Sequence, residues 1–153
     1  MKMLALDSQL SIRLKGAFLL LFTLLFMLSC SAVKKKPLEH NGNSIIFGDG
    51  GGFSGIENSI LINDDGKIYE LKNRRSSYSF IKKMDSNDVD QLFNVIDVLG
   101  IMDIELNSPG NSYKFIELKM GESEKRLVWS ASNASEDIKI LYKILHTKAQ
   151  LKL

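Results

Sequence analysis

Hydrophobic and polar positions divide the chain near residue 30. Residues 17–28, AFLLLFTLLFML, are apolar with only Thr23 intervening, whereas beyond residue 43 the apolar residues come in short periodic runs. Residues 44–47 (SIIF) predict a strand, and Ile56, Ile60 and Ile62 share one face of an extended run with Leu61 on the other. Asp65-Gly66 between apolar runs predicts a hairpin, with residues 67–71 as its return strand and residues 78–83 as a further short strand. The spacing then changes. Val89, Leu92, Phe93, Ile96 and Leu99 recur at helical intervals after an N-cap at Asp85 or Ser86, and Gly100 is a natural stop. Residues 101–106 should pack beneath that helix end, and residues 107–111 (NSPGN) predict a loop. Residues 113–120 alternate, giving a strand apolar on one face for most of its length, and residues 121–124 turn it into residues 126–129 (RLVW). Ser135 caps a last helix with Ile138, Leu141, Tyr142 and Leu145 as its apolar stripe and Lys139, Lys143 and Lys148 on its wet side. The order βββ(β)αββα predicts an α+β fold, an antiparallel sheet of about five strands with two helices on one face.

The apolar run at residues 17–28 has a different meaning. Lys2, Arg13 and Lys15 precede it, small residues follow it, and Lys34, Lys35, Lys36 and Pro37 mark the change to polar chain. A basic region, a short apolar core and a small-residue exit predict a secretory signal peptide. Met27-Leu28-Ser29-Cys30 resembles a bacterial lipobox. The resemblance implies transfer of diacylglycerol to the Cys30 sulfur, cleavage before Cys30 and acylation of the new amino terminus. The competing reading is an uncleaved anchor, since residues 16–33 hold no charge. The lone cysteine of the chain stands where a lipobox needs it, which favours lipidation. The expected organisation is a leader at residues 1–29, a flexible tether at residues 30–43 with its lysine run, Pro37 and Gly42, and one α+β domain at residues 44–153.

Charge and cysteine usage narrow the partners. The whole chain has 20 basic and 18 acidic residues. Removing Lys2, Asp7, Arg13 and Lys15 with the leader leaves the remainder formally neutral, so no nucleic-acid partner is expected. With no second cysteine, an exported domain must fold without disulfides. Two or more acyl chains make a stable anchor, so the membrane is the first expected partner. Ser31 stands where an aspartate often retains bacterial lipoproteins at the inner membrane, so the expected location is the outer membrane, facing the periplasm.

The candidate site is the loop Gly50, Gly51, Gly52, Phe53, Ser54 and Gly55. It satisfies G-x-G-x-x-G, but the residues after it predict a strand rather than a phosphate-binding helix. Glycine there supplies positive-φ turn geometry, at a cost in backbone entropy that a plain hairpin would not need. Phe53 either folds onto the core or is offered to a partner, and in the second case it would anchor an interface. His40 and His146 have no metal-ligand spacing, no nucleophile and base can be paired, and Arg74-Arg75 reads as a solvated turn. No metal, no cofactor and no enzymatic activity are expected. Gly51-Gly52-Phe53-Ser54-Gly55, the extended run after it, the apolar helix, the aromatic-rich strand after a Pro-containing loop and the terminal helix resemble the emfourin family. The resemblance implies a small bacterial α+β protein that inhibits thermolysin-like metalloproteases, with an envelope protease as partner. The expected function is thus a non-enzymatic binding module, with a structural or assembly lipoprotein lacking a ligand site as the other class.

Overall fold

The computed structural model describes residues 36–52, 55–72, 75–130 and 133–149, all in one unit that begins at residue 35. The expected leader, Cys30, Phe53 and Ser54 lie outside the described residues. The strands are β1 (Ser44–Gly51), β2 (Asn58–Asn63), β3 (Lys67–Lys72), β4 (Ser77–Lys83), β5 (Asn107–Ser108), β6 (Ser112–Met120) and β7 (Ser123–Trp129). The helices are α1 (Ser86–Val98), between β4 and β5, and α2 (Glu136–Ala149) at the end. The strands form one sheet in the order β4-β3-β2-β1-β6-β7-β5, antiparallel except for β5 against β7. The class is therefore α+β, with seven strands rather than about five. The segment expected as a plain loop contains one strand, β5, that the expected order lacks. Asn107 and Ser108 have turn chemistry and no apolar period, and they join by backbone bonds alone: Val128 N–H donates to Leu106 at 2.9 Å and Ser130 N–H to Ser108 at 3.1 Å.

Both helices pack on the same side. The Asp85 carboxylate caps α1 by accepting from Asn87 N–H at 2.9 Å, and the Ser135 hydroxyl accepts from Ile138 N–H at 3.4 Å ahead of α2. Val89, Leu92 and Ile96 of α1 and Ile138, Leu141, Tyr142 and Leu145 of α2 bury against Ile45, Phe47, Ile62, Ile68, Ile116, Leu118, Leu127 and Trp129. These sheet residues lie two apart along their strands, as one face requires.

The other face is apolar too. Ile46, Leu61, Leu71, Phe115 and Val128 form a second cluster, with Tyr69 and Tyr113 packed against it. Phe115, on β6, is as fully buried as any residue of the helix side. The expected apolar face of β6 is present in Ile116 and Leu118, but it is not the only buried face of the strand. A large ring is buried on its open side as well, under charged side chains described below.

Residues 36–43, the described part of the expected tether, meet the sheet at one end. They contain a 3₁₀ turn at Pro37–Glu39 with Pro37 buried. His40 Nε2 bonds to Asp64 Oδ1 at 2.5 Å and Asn43 N–H donates to Asp64 Oδ2 at 2.7 Å. The Asn43 side chain accepts from Gly121 N–H at 2.8 Å. This end therefore gathers the β2–β3 and β6–β7 turns. The glycine-rich loop, the β3–β4 turn and the start of β6 lie at the opposite end, and β1 connects the two. Among the described residues no helix is long and apolar enough to cross a membrane.

Candidate functional site

The loop end is built on glycines that answer to two different requirements. β1 runs on through Gly51, so Gly50 and Gly51 of the expected loop belong to a strand. Gly50 faces Tyr113 across the β1–β6 ladder, and a Cβ there would lie 2.8 Å from the Tyr113 ring. At Gly51 a Cβ would strike the Asn111 carbonyl. Close packing dictates Gly50, and at Gly51 it adds to a positive φ of 98°. Gly52 and Gly55 differ: each has open space where a Cβ would be and a left-handed backbone, φ 70° and 57°. Gly52 N–H donates to Asn111 O at 2.5 Å, and Gly55 N–H returns to Gly52 O at 3.3 Å. Gly52 is thus pinned to Asn111, just ahead of β6, and Gly55 is held to Gly52. Ile56, immediately after Gly55, is 56 % exposed.

Beside that turn lies a charged cluster on the open face. Arg75, from the β3–β4 turn, donates to Glu117 Oε2 at 2.6 Å and to Oε1 at 2.8 Å, and reaches Glu57 at 3.4 Å. Arg126 of β7 donates to Glu57 at 2.7 Å and also pairs with Glu117, its cross-strand neighbour. Tyr113 O–H donates to Glu57 at 2.9 Å. Both guanidinia lie over the Phe115 ring, 5.7 and 4.7 Å from its centroid. Two cations and two carboxylates neutralise one another while their planar groups roof an aromatic ring. Burial works to raise the Glu57 carboxyl, but hydrogen bonds from Arg126 and Tyr113 and the two positive charges prevail and hold it below its ordinary value. Tyr113 is raised, first by its bond to Glu57 and then by burial. A cleft of about 220 Å³ opens among Gly55, Glu57, Arg75 and Tyr113.

Arg75 is the described non-glycine residue with a left-handed backbone, φ 69°. Such a conformation costs of the order of 1 kcal/mol and persists where surrounding contacts enforce it. The bidentate pair with Glu117 is such a contact. Reading Arg75 as a solvated turn residue is corrected; Arg74 lies outside the described residues.

A second and larger cleft, about 510 Å³, lies around the start of β2. Phe47, Ile60 and Leu71 give it apolar walls, and Asp49, Asn58, Glu70, Lys72 and His146 line it as well. His146 packs edge-on to Phe47 with ring centroids 5.1 Å apart and lies 4.6 Å from Tyr142. It is wedged among these rings in the last turn of α2.

Of the expected site, then, Gly50, Gly51, Gly52 and Gly55 come together at one end of the sheet. Sequence patterning missed Glu57, Glu117, Arg126 and His146 as members of that end. The available signal was the alternation of β6, which puts Tyr113, Phe115 and Glu117 on one face. No group of three or more His, Cys, Asp or Glu that could hold a metal occurs among the described residues. Comparison with protein-family models finds none that matches the chain, and comparison with curated proteins finds no match either.

Proposed function

We propose that this chain is a lipid-anchored protein of the bacterial envelope, held through Cys30, and that its domain is a non-enzymatic binding module whose contact surface is the Gly52–Gly55 turn with Ile56 and the neighbouring cleft. The observation carrying this reading is the course of β1. It starts at Ser44, next to the residues fastened to Asp64, and ends at Gly51, at the turn. An eight-residue strand spans about 23 Å. The chain therefore enters the described domain at one end of the sheet and carries the turn at the other, clear of the entry point. Gly52 and Gly55 are set by their positive φ, and with nothing within 4 Å of a Cβ at either this end is not packed against the rest of the domain there, which is compatible with the same reading. Protease inhibition is the form of binding that the emfourin resemblance suggests, with an envelope protease as partner and the outer membrane, facing the periplasm, as location.

One observation favours the other class. Gly50 is explained by close packing, and Gly51 by close packing together with a positive φ of 98°, so part of the glycine content that suggested a binding loop has a structural cause. A structural or assembly lipoprotein with no ligand site would need only that part. Two measurements separate the readings. A fatty-acid probe should label the wild type and leave Cys30→Ala unlabelled; an unlabelled wild type retaining residues 1–29 rejects the lipid anchor. Inhibition of a thermolysin-like protease by the wild type, lost in Phe53→Ala at unchanged stability, supports the module. If Phe53→Ala destabilises the domain by the few kcal/mol of a core truncation and no binding is affected, the turn is structural.

A further inference from the structure

We infer that His146 is an acid-sensitive latch at the base of the glycine-rich loop: neutral, it seals the last turns of α2 onto β1, and protonation releases them. The latch stands on packing; only its use in controlling the loop rests on the proposed binding role. Both ring nitrogens, Nδ1 and Nε2, are buried and have no hydrogen-bond partner. Leaving a neutral imidazole so is already costly, and a cation with two unmatched donors in the same place is far more so. Accepting a proton therefore requires the ring to leave its seat between Phe47 and Tyr142.

The surroundings do not supply the missing charge. On β1, Asp49 faces the ring and favours the cation, but Asp49 also accepts from the Asn58 side chain at 3.3 Å. On β6, Lys114 opposes it, with its ammonium 4.9 Å from the Tyr142 ring centroid. Glu70 and Lys72 of β3 share the cleft but pair with each other at 3.0 Å. Glu57, ahead of β2, is committed to Arg126 and Tyr113. On α2 itself, Tyr142 is a neutral phenol that burial pushes far up. Burial first, and Lys114 second, outweigh Asp49 and hold His146 below the ordinary histidine value.

The position gives the latch its consequence. Tyr142, one helical turn before His146, donates its hydroxyl to Gly48 O at 3.1 Å. Phe47 and Gly48 are the residues of β1 that α2 grips, and they lie just before Gly50 and Gly51. The adjoining cleft offers the ring a way out to water. Because the closed form binds the proton less readily than the open form, closure is fully favoured above about pH 6.5. It weakens by up to about ten-fold per pH unit below that, until the closed form itself titrates.

The test uses the full-length chain in detergent micelles. NMR follows the ring signals of His40 and His146 from pH 7.5 to 5, and amide exchange of α2 is measured over the same range and corrected for intrinsic rates. The expected result is a His146 midpoint below 6.5 and α2 exchange that accelerates as pH falls. His40→Gln should keep the acceleration and His146→Phe should abolish it. A His146 midpoint at or above 6.5, pH-independent α2 exchange, or acceleration that survives in His146→Phe overturns the latch. Should His146→Phe not fold, the ring titration and wild-type exchange decide alone. Acceleration with no change in any binding by the loop would keep the latch and count against the loop's proposed role.

Discussion

The Arg75 guanidinium clasps both carboxylate oxygens of Glu117, at 2.6 and 2.8 Å, across 42 residues of sequence. The pair joins the β3–β4 turn to the centre of β6, and it closes over Phe115 together with Arg126. A sheet face without helices keeps a fully buried phenylalanine in this way.

The pair is a quarter to a fifth exposed, so its net contribution should be modest. A double-mutant cycle with Arg75→Ala and Glu117→Gln, read by urea unfolding, is expected to give a coupling of about 1 kcal/mol. Arg75→Gly should be less destabilising than Arg75→Ala, since glycine accepts the left-handed backbone without strain. Equal costs for the two would show that the backbone at Arg75 is not strained.

The glycines of the loop end should separate by mechanism. Gly50→Ala is expected to cost more than Gly52→Ala, because its Cβ meets the Tyr113 ring at 2.8 Å whereas Gly52 has open space and only an unfavourable φ. About 1 kcal/mol is expected for Gly52→Ala. Combining Gly50→Ala with Tyr113→Ala should cost less than the two single changes added together, because the ring that clashes has been removed. Additive costs in thermal unfolding would contradict the ring-over-glycine packing.

This contrast marks what could be read from the sequence. Helix α2 was legible because Ile138, Leu141, Tyr142 and Leu145 recur at one-turn intervals and Ser135 precedes them. The hairpin at Asp65-Gly66 was legible through its turn chemistry. The strand at Asn107–Ser108 was not, because its pairing uses backbone groups alone and leaves no side-chain period. The candidate loop was found by its glycines, yet pattern could not distinguish Gly50, set by a ring 63 residues away in sequence, from Gly52, set by its own turn. The charged cluster was hidden for the same reason. Glu57, Arg75, Glu117 and Arg126 come from four separate segments, and only the strand order brings them together.

Glu57 should shape the acid limb of stability. Its carboxyl lies below its ordinary value in the folded chain, so the folded state holds the proton less readily than the unfolded one. Its contribution is complete above the unfolded value of about 4.3 and is lost as pH falls through the folded value. Glu57→Gln is therefore expected to lower stability near pH 7 and to flatten its decline below about pH 4.3. A decline as steep as that of the wild type would place the acid sensitivity elsewhere.

The central proposal is that the turn end of the sheet meets a partner while the end where the chain enters does not. Site-specific photo-crosslinking in living cells tests it most directly, with the photoreactive residue placed at Phe53 or Ile56 and, for comparison, at Glu122 in the β6–β7 turn. The expected result is a discrete protein adduct from positions 53 and 56 that is absent from position 122. Adducts from position 122 alone, or none from 53 and 56 in folded, membrane-bound protein, would contradict the account.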